Sequence, residues 1–197
     1  MSSELQSLLG AVVAVVVVVV PLVLRAEARA VREGEALWAR YAARRGGVHH
    51  PGVWGNGGWR RSPVLELPVG QAHVTVDTLH DGTSDNGRVS LRVRAPWRRA
   101  AVAFELGVPG LVASPGRVSL GGDDGFDARF AVRTEAPAAV AHLWSPAARA
   151  LLTRHLHGMG LHVRGDAEGI TLTVRDLGRN EALLHAAVEV VAALAQP

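Results

Sequence analysis

The chain has 197 residues, 21 of them basic against 18 acidic for a formal charge of +3, with 48% hydrophobic residues and no cysteine. This composition excludes a disordered chain, and the missing thiols exclude disulfides and thiolate metal sites. The charge is unevenly placed: residues 25–61 carry eight Arg against three Glu, +5, whereas residues 62–197 carry 13 Arg against 14 acids, −1, so a near-neutral body with no recognisable motif argues against nucleic acid as a partner.

The first element is the apolar run Leu8–Leu24, with eight valines between Ala11 and Val20 and no charge over 17 residues. Counted back to Leu5 the run reaches 20 residues, which as a helix spans about 30 Å, the thickness of a bilayer's hydrocarbon core. Valine is a mediocre helix former in water. In lipid, however, the backbone must satisfy its own hydrogen bonds, and that constraint outweighs a propensity penalty of roughly tenths of a kcal/mol per residue. A cleaved secretory signal is the rival reading and needs a basic n-region. Met1–Gln6 holds Glu4 and no Arg or Lys, and Arg25 crowds the small-residue site Ala26-Glu27-Ala28. Residues 1–24 therefore read as an uncleaved transmembrane anchor.

Arg25, Arg29, Arg32 and Arg40 follow the run and nothing basic precedes it. Positive flanks stay in the cytoplasm, so the expected topology is a short outer N-terminus and a cytoplasmic C-terminal domain. Arg25, Arg29 and Arg32 are also placed to meet anionic head groups. Residues 25–62 are expected to form a basic juxtamembrane helix and a Gly-rich loop, and residues 63–197 an α+β soluble domain. The helix covers Arg25–Arg45, sets Trp38 and Tyr41 at an i, i+3 spacing and ends at Gly46-Gly47. The loop covers Val48–Ser62, by its Gly and Pro content.

Alternation follows. Val74, Val76 and Thr78 share one face and Thr75 and Asp77 the other; after a turn at 81–87, Val89, Leu91, Val93 and Ala95 oppose Ser90, Arg92 and Arg94. Further strands are expected over Ala100–Leu106, Arg117–Leu120 and Ala128–Thr134. A helical region restarts at Ser145-Pro146, where Ser caps and Pro suits the first turn, and buries Ala148, Leu151, Leu152 and Leu156. A second hairpin pairs Leu161–Arg164 with Ile170–Arg175. Asn180 caps a last helix that buries Leu184, Ala187, Val188, Val191 and Ala195. The order of elements predicts an α+β fold: a mostly antiparallel sheet with two or three helices packed on one face.

The stretch Gly125-Phe126-Asp127-Ala128-Arg129-Phe130-Ala131-Val132, followed by Pro137 and by Leu143-Trp144-Ser145-Pro146 through Leu151-Leu152, resembles a pattern in uncharacterised bacterial membrane-anchored proteins. In that pattern a Phe-Asp-x-x-Phe-x-Val strand leads into a helix with Leu, Pro and Leu at set spacing. The resemblance covers residues 120–157, with Trp144 where Leu is usual, and implies a bacterial, membrane-tethered α+β domain and no activity. All 21 basic residues being Arg, with Ile only at 170, fits a GC-rich bacterial genome. Phe126 and Phe130 read as core anchors and Asp127 as a turn acceptor.

No residue is assigned as catalytic, cofactor-binding or metal-binding. His155 and His157 sit at i, i+2 near a helix end, where paired helical ligands prefer i, i+4. His49-His50 lie in the Gly-rich stretch, and His73, His80 and His162 fall on strands. Asp123, Asp124 and Asp127 lack calcium-loop spacing. Ser84, Ser114 and Ser145 sit in no nucleophile motif, and Gly55-Asn56-Gly57-Gly58 is no dinucleotide fingerprint. The surface that stands out is a set of alternating arginines: Arg92 and Arg94, Arg129 and Arg133, Arg164 and Arg175. As one plate they would hold an anion or an acidic partner; paired with Asp77, Glu105 and Glu135 they form an ordinary solvated face. Trp54 and Trp59 are candidate partner-facing anchors. The function expected is that of an interaction or scaffold module with a membrane or cytoplasmic protein partner, and the alternative is an enzyme or ligand- or metal-binding domain built from dispersed His and Asp.

Overall fold

The structure, a computed structural model, describes residues 17, 19–55, 58–81, 88–109, 117–120, 125–156, 160–175 and 179–196. Most of the apolar run, residues 8–16 and 18, lies outside the described residues, and so do the turn at 82–87 and most of the segment 110–124. Among the described residues no helix is long and apolar enough to cross a membrane.

Helix α1 (Val20–Arg45) has Pro21 in its first turn, where a missing N–H breaks no intrahelical bond. It stops at Gly46, whose φ of 67° is left-handed, and the N–H of Gly47 donates to the Ala42 carbonyl at 2.9 Å. Gly47 has a second constraint: a Cβ there would collide with the Glu66 carbonyl oxygen, so only glycine lets the chain turn back this close to its neighbour strand.

Among the described residues eleven strands follow: β1 (Val48–His50), β2 (Val53–Gly55), β3 (Gly58–Arg61), β4 (Val64–Val69), β5 (Ala72–Asp81), β6 (Arg88–Ala95), β7 (Phe104–Gly107), β8 (Arg117–Val118), β9 (Ala131–Arg133), β10 (His162–Gly165) and β11 (Ile170–Val174). Nine of them form one antiparallel sheet in the order β1-β4-β5-β6-β11-β10-β7-β9-β8, and β2-β3 pair separately. The helices are α2 (Phe126–Arg129), α3 (Pro137–Leu143), α4 (Pro146–Leu151), which continues as a π turn over Leu152–Leu156, and α5 (Glu181–Ala195). The α+β expectation with an antiparallel sheet therefore holds.

The core lies between one sheet face and the helices. Leu65 and Leu67 of β4, Val74 and Val76 of β5, Leu91 and Val93 of β6, and Leu172 of β11 are fully buried, each at alternate positions, as a half-buried strand requires. Helix α5 lies across β5, β6 and β11. It is buried on nearly every side because α4 and its π turn pack on its back. Asn180 caps it, its Oδ1 accepting from the N–H of Ala182 and Leu183 at 3.0 and 3.2 Å. Ser145 caps α4 through the N–H of Ala148 at 3.2 Å.

Three sequence expectations need correction. The stretch 48–62, read as a loop, contains β1 and the β2–β3 hairpin, in which Trp54 stands opposite Trp59 and a bulge separates Val53 from Trp54. Its Asn56-Gly57 pair is a strong hairpin signal that the surrounding glycines obscured. The unforeseen β4 was hidden by Pro63 and Pro68; the sheet tolerates Pro68 because β1 pairs only with Val64–Glu66, leaving that side of β4 open. The strand expected over 128–134 shrinks to Ala131–Arg133, since Phe126–Arg129 close a helical turn with the Phe130 N–H on the Phe126 carbonyl at 2.9 Å. Phe126 and Phe130 are nonetheless core residues, their rings 4.8 Å apart, with Trp144 5.8 Å from Phe126.

The second half of α1 belongs to this core: Trp38, Tyr41 and Ala42 are 2–3% exposed. Arg44 pairs with Glu181 and Arg45 with Glu189, and the Tyr41 hydroxyl meets His185 Nδ1 at 3.2 Å. Replacing Trp38 with Ala is expected to cost about 3–5 kcal/mol of stability, read by urea unfolding. A loss under about 1 kcal/mol would mean that α1 only rests on the fold.

Candidate functional site

With helices covering one sheet face, the other is open. Register aligns one row of its residues across the strands: Glu66, Thr75, Arg94, Thr171, Arg164, Glu105 and Arg133 are successive cross-strand partners. The next row holds Val64, Asp77, Arg92, Thr173 and His162.

Asp77 is the centre of this face. Its carboxylate accepts a two-pronged bond from Arg92, Nε and Nη2 both at 2.7 Å, and a third from Arg94 at 2.9 Å. It is buried at 7% exposure although it sits on the open side, because the two guanidinium groups cover it. The hydrogen bond to Asp77 raises the Arg92 pKa above its usual value, against the lowering effect of burial. Outward, Arg133 lies 3.8 Å from Glu105 and Arg164 3.3 Å from Asp166; these pairs are more exposed and contribute less.

The alternating arginines thus divide. Arg92, Arg94, Arg133 and Arg164 share the open face, each with a carboxylate within 4 Å. Arg129 is instead on α2, reaching the Thr153 carbonyl at 3.5 Å, and Arg175 lies beyond β11 against Gly160. The face neutralises itself rather than presenting free positive charge.

The histidines are dispersed. His50 and His73 face Glu66 at 3.7 and 3.9 Å, and His155 is on the π turn. His157 and the side chain of His80 lie outside the described residues. Among the described residues no three His, Asp or Glu gather as metal ligands would. His49 is mostly buried, its ring edge-on to Trp38 at 6.3 Å, with Nε2 3.1 Å from Glu35 but off the line of a hydrogen bond. Burial lowers its pKa, only partly opposed by Glu35. Burial likewise lifts the Tyr41 pKa to about 12. Asp123 and Asp124 lie outside the described residues, while Asp127 accepts from Ser119 and from the Leu120 N–H, as a turn acceptor does.

Two shallow clefts flank the turn between β10 and β11, which Asp166 closes by accepting from the N–H of Glu168 and Gly169. One, about 480 Å³, is lined by Phe104, Glu105, Arg133, Thr134, Glu135, Arg164 and Asp166 among others. Its neighbour, about 290 Å³, takes Thr75, Arg94, Thr171, Asp166 and Glu168. Both mix cations and carboxylates, which suits polar or zwitterionic contacts better than a simple anion. Sequence reasoning found the Arg side of this surface but not its partner Asp166, which reads in isolation as a turn residue.

No protein-family model and no curated protein matches the chain. Among solved structures, the crystal structure of the mycobacterial trehalose monomycolate transport factor A matches with a TM-score of 0.53, covering 84% of this chain and 97% of that one at 12% identity. The likeness is one of fold.

Two measurements follow from this geometry. Asp77→Asn leaves two guanidinium groups without their carboxylate and is expected to cost about 1–3 kcal/mol, whereas Glu105→Gln should cost under about 1 kcal/mol; equal losses in urea unfolding would contradict the ranking. Because His49 has a lowered pKa in the fold, the unfolded chain binds its proton first. Stability present above the ordinary value of 6.5 therefore falls as pH drops below it. His49→Gln should flatten that acid slope in melting experiments, and an unchanged slope would remove His49 as its source.

Proposed function

We propose that this chain is a single-pass protein of a bacterial cytoplasmic membrane, anchored by residues 8–24. Its α+β body sits on the cytoplasmic side and serves as an interaction or scaffold module. The observation that carries this reading is the two-ended character of α1. Just before and at its start Val17, Val19, Val20, Leu22 and Val23 are 44–64% exposed, whereas at its end Trp38, Tyr41 and Ala42 are buried. Burying one such aliphatic side chain is worth roughly 1.5–3 kcal/mol, so five of them side by side favour a bilayer around that end. The confined +5 of residues 25–61 supports the orientation and contact of Arg25, Arg29 and Arg32 with anionic head groups.

For the body, the open sheet face and its two shallow clefts are the surface we assign to partner binding. The name of the solved neighbour, a transport factor, supplies one class of partner to test: a membrane transport protein. Crosslinking and pull-down from native membranes, with a reporter active on only one side fused at Pro197, tests the whole reading. A recovered protein partner and cytoplasmic reporter activity are expected. Reporter activity outside would overturn the topology, and metal in the purified chain with no crosslinked partner would favour a ligand-binding or catalytic domain instead.

A further inference from the structure

The contacts of β1 fix its direction beside α1. Gly47 bonds Ala42, the His49 ring meets Trp38 and Glu35, and the Gly52 N–H donates to Glu35 Oε1 at 3.0 Å. As the strand's residue numbers rise, the helix's fall. The chain therefore runs back along α1 toward its apolar start, and the β2–β3 hairpin leaves the sheet at that end, where β1 finishes and β4 begins. Its base is pinned there: Arg61 donates to the Pro51 carbonyl at 3.1 Å and Ser62 to the Thr78 carbonyl at 3.2 Å.

The lengths agree. From Glu35 back to Arg25 the helix rises about 15 Å, and β2 beyond Gly52 extends about 10 Å before its turn. Continued in the direction that β1 and Gly52 set along α1, the hairpin would reach toward the level at which Arg25 and Arg29 leave the apolar run. What it brings there suits a head-group layer. Val53 is 43% exposed, Trp54 stands opposite Trp59 in the ladder, and Arg60 and Arg61 are exposed. Trp and Arg side by side are the residues that settle at a membrane interface, Trp for its amphipathic ring and Arg for lipid phosphates.

We infer that the β2–β3 hairpin is a second membrane contact, touching the anionic head-group layer of the bilayer that α1 enters and holding the body in one orientation. This builds on the reading of residues 8–24 as a span. Two contacts, one a helix and one a hairpin beside it, restrict both tilt and rotation of the body about the helix axis, so the open sheet face would meet membrane partners at a set angle.

The chain has no cysteine, so single cysteines introduced into the full-length protein are unique labelling sites. Gly55→Cys on the hairpin and Gln71→Cys at the exposed β4–β5 turn, the far end of the same strands, would each carry an environment-sensitive fluorophore. The proteins are reconstituted in phosphatidylcholine vesicles with or without phosphatidylglycerol, containing head-group-labelled quencher lipid. Strong quenching at position 55 that increases with phosphatidylglycerol, and little at position 71, is expected. Adding Arg60→Ala, which leaves the Arg61 bond to Pro51 in place, should reduce the in-to-out ratio at position 55 on anionic vesicles by roughly fivefold. Equal, weak quenching at both positions in protein that floats with the vesicles overturns the hairpin contact and leaves the anchor standing. Protein that does not float with vesicles overturns both.

Discussion

One helix is apolar at both of its ends, and only its second end is packed in the core. At its start α1 leaves Val20, Leu22 and Val23 exposed; at its end Trp38, Tyr41 and Ala42 complete the core. The β1–β4 edge of the sheet is built against that second attachment. Gly46 and Gly47 turn the chain so that β1 lies along α1, β1 sets the edge on which β4 pairs, and on the face so extended α1 lies against β4 and α5 against β5. The helix is thus both the first layer of the fold and its route to the apolar run.

The opposite face of the sheet solves a different problem. An antiparallel sheet with one covered face must carry polar residues on the other, and a chain whose only strong cation is Arg places guanidinium groups there. Left unpaired, neighbouring arginines repel. Asp77 removes that repulsion by holding Arg92 and Arg94 together, and Glu105 and Asp166 take Arg133 and Arg164. The consequence for function is a dipolar surface, legible to a partner with alternating charges and poorly suited to a bare anion.

How much of this could be read from the residues alone depended on whether the signal was local. The β5–β6 alternation, the Ser145 and Asn180 caps and the stripe of α5 are local patterns, and they appear where periodicity puts them. The placement of β10 and β11 between β6 and β7 is not local: consecutive strands suggest neighbours, yet a hairpin made some 60 residues later inserts between them. Glycine and proline misled in the other direction. In 48–62 they suggested a loop, where β1 and the short strands β2 and β3 form, and Pro68 concealed β4. For the face, Arg92 and Arg94 announced themselves by alternation, whereas their pairing with Asp77, one of two readings open in the sequence, depends on the register of β5 against β6.

The continuity of α1 is the central claim, because a break between the apolar start and the packed end would separate the body from the anchor proposed for residues 8–24. Spin labels at Ala26→Cys and Ala43→Cys, both exposed positions on α1, in the otherwise cysteine-free chain measure it directly by electron–electron distance spectroscopy in bilayers. An unbroken helix predicts a narrow distribution centred at about 26 Å. A broad or much shorter one would contradict the account.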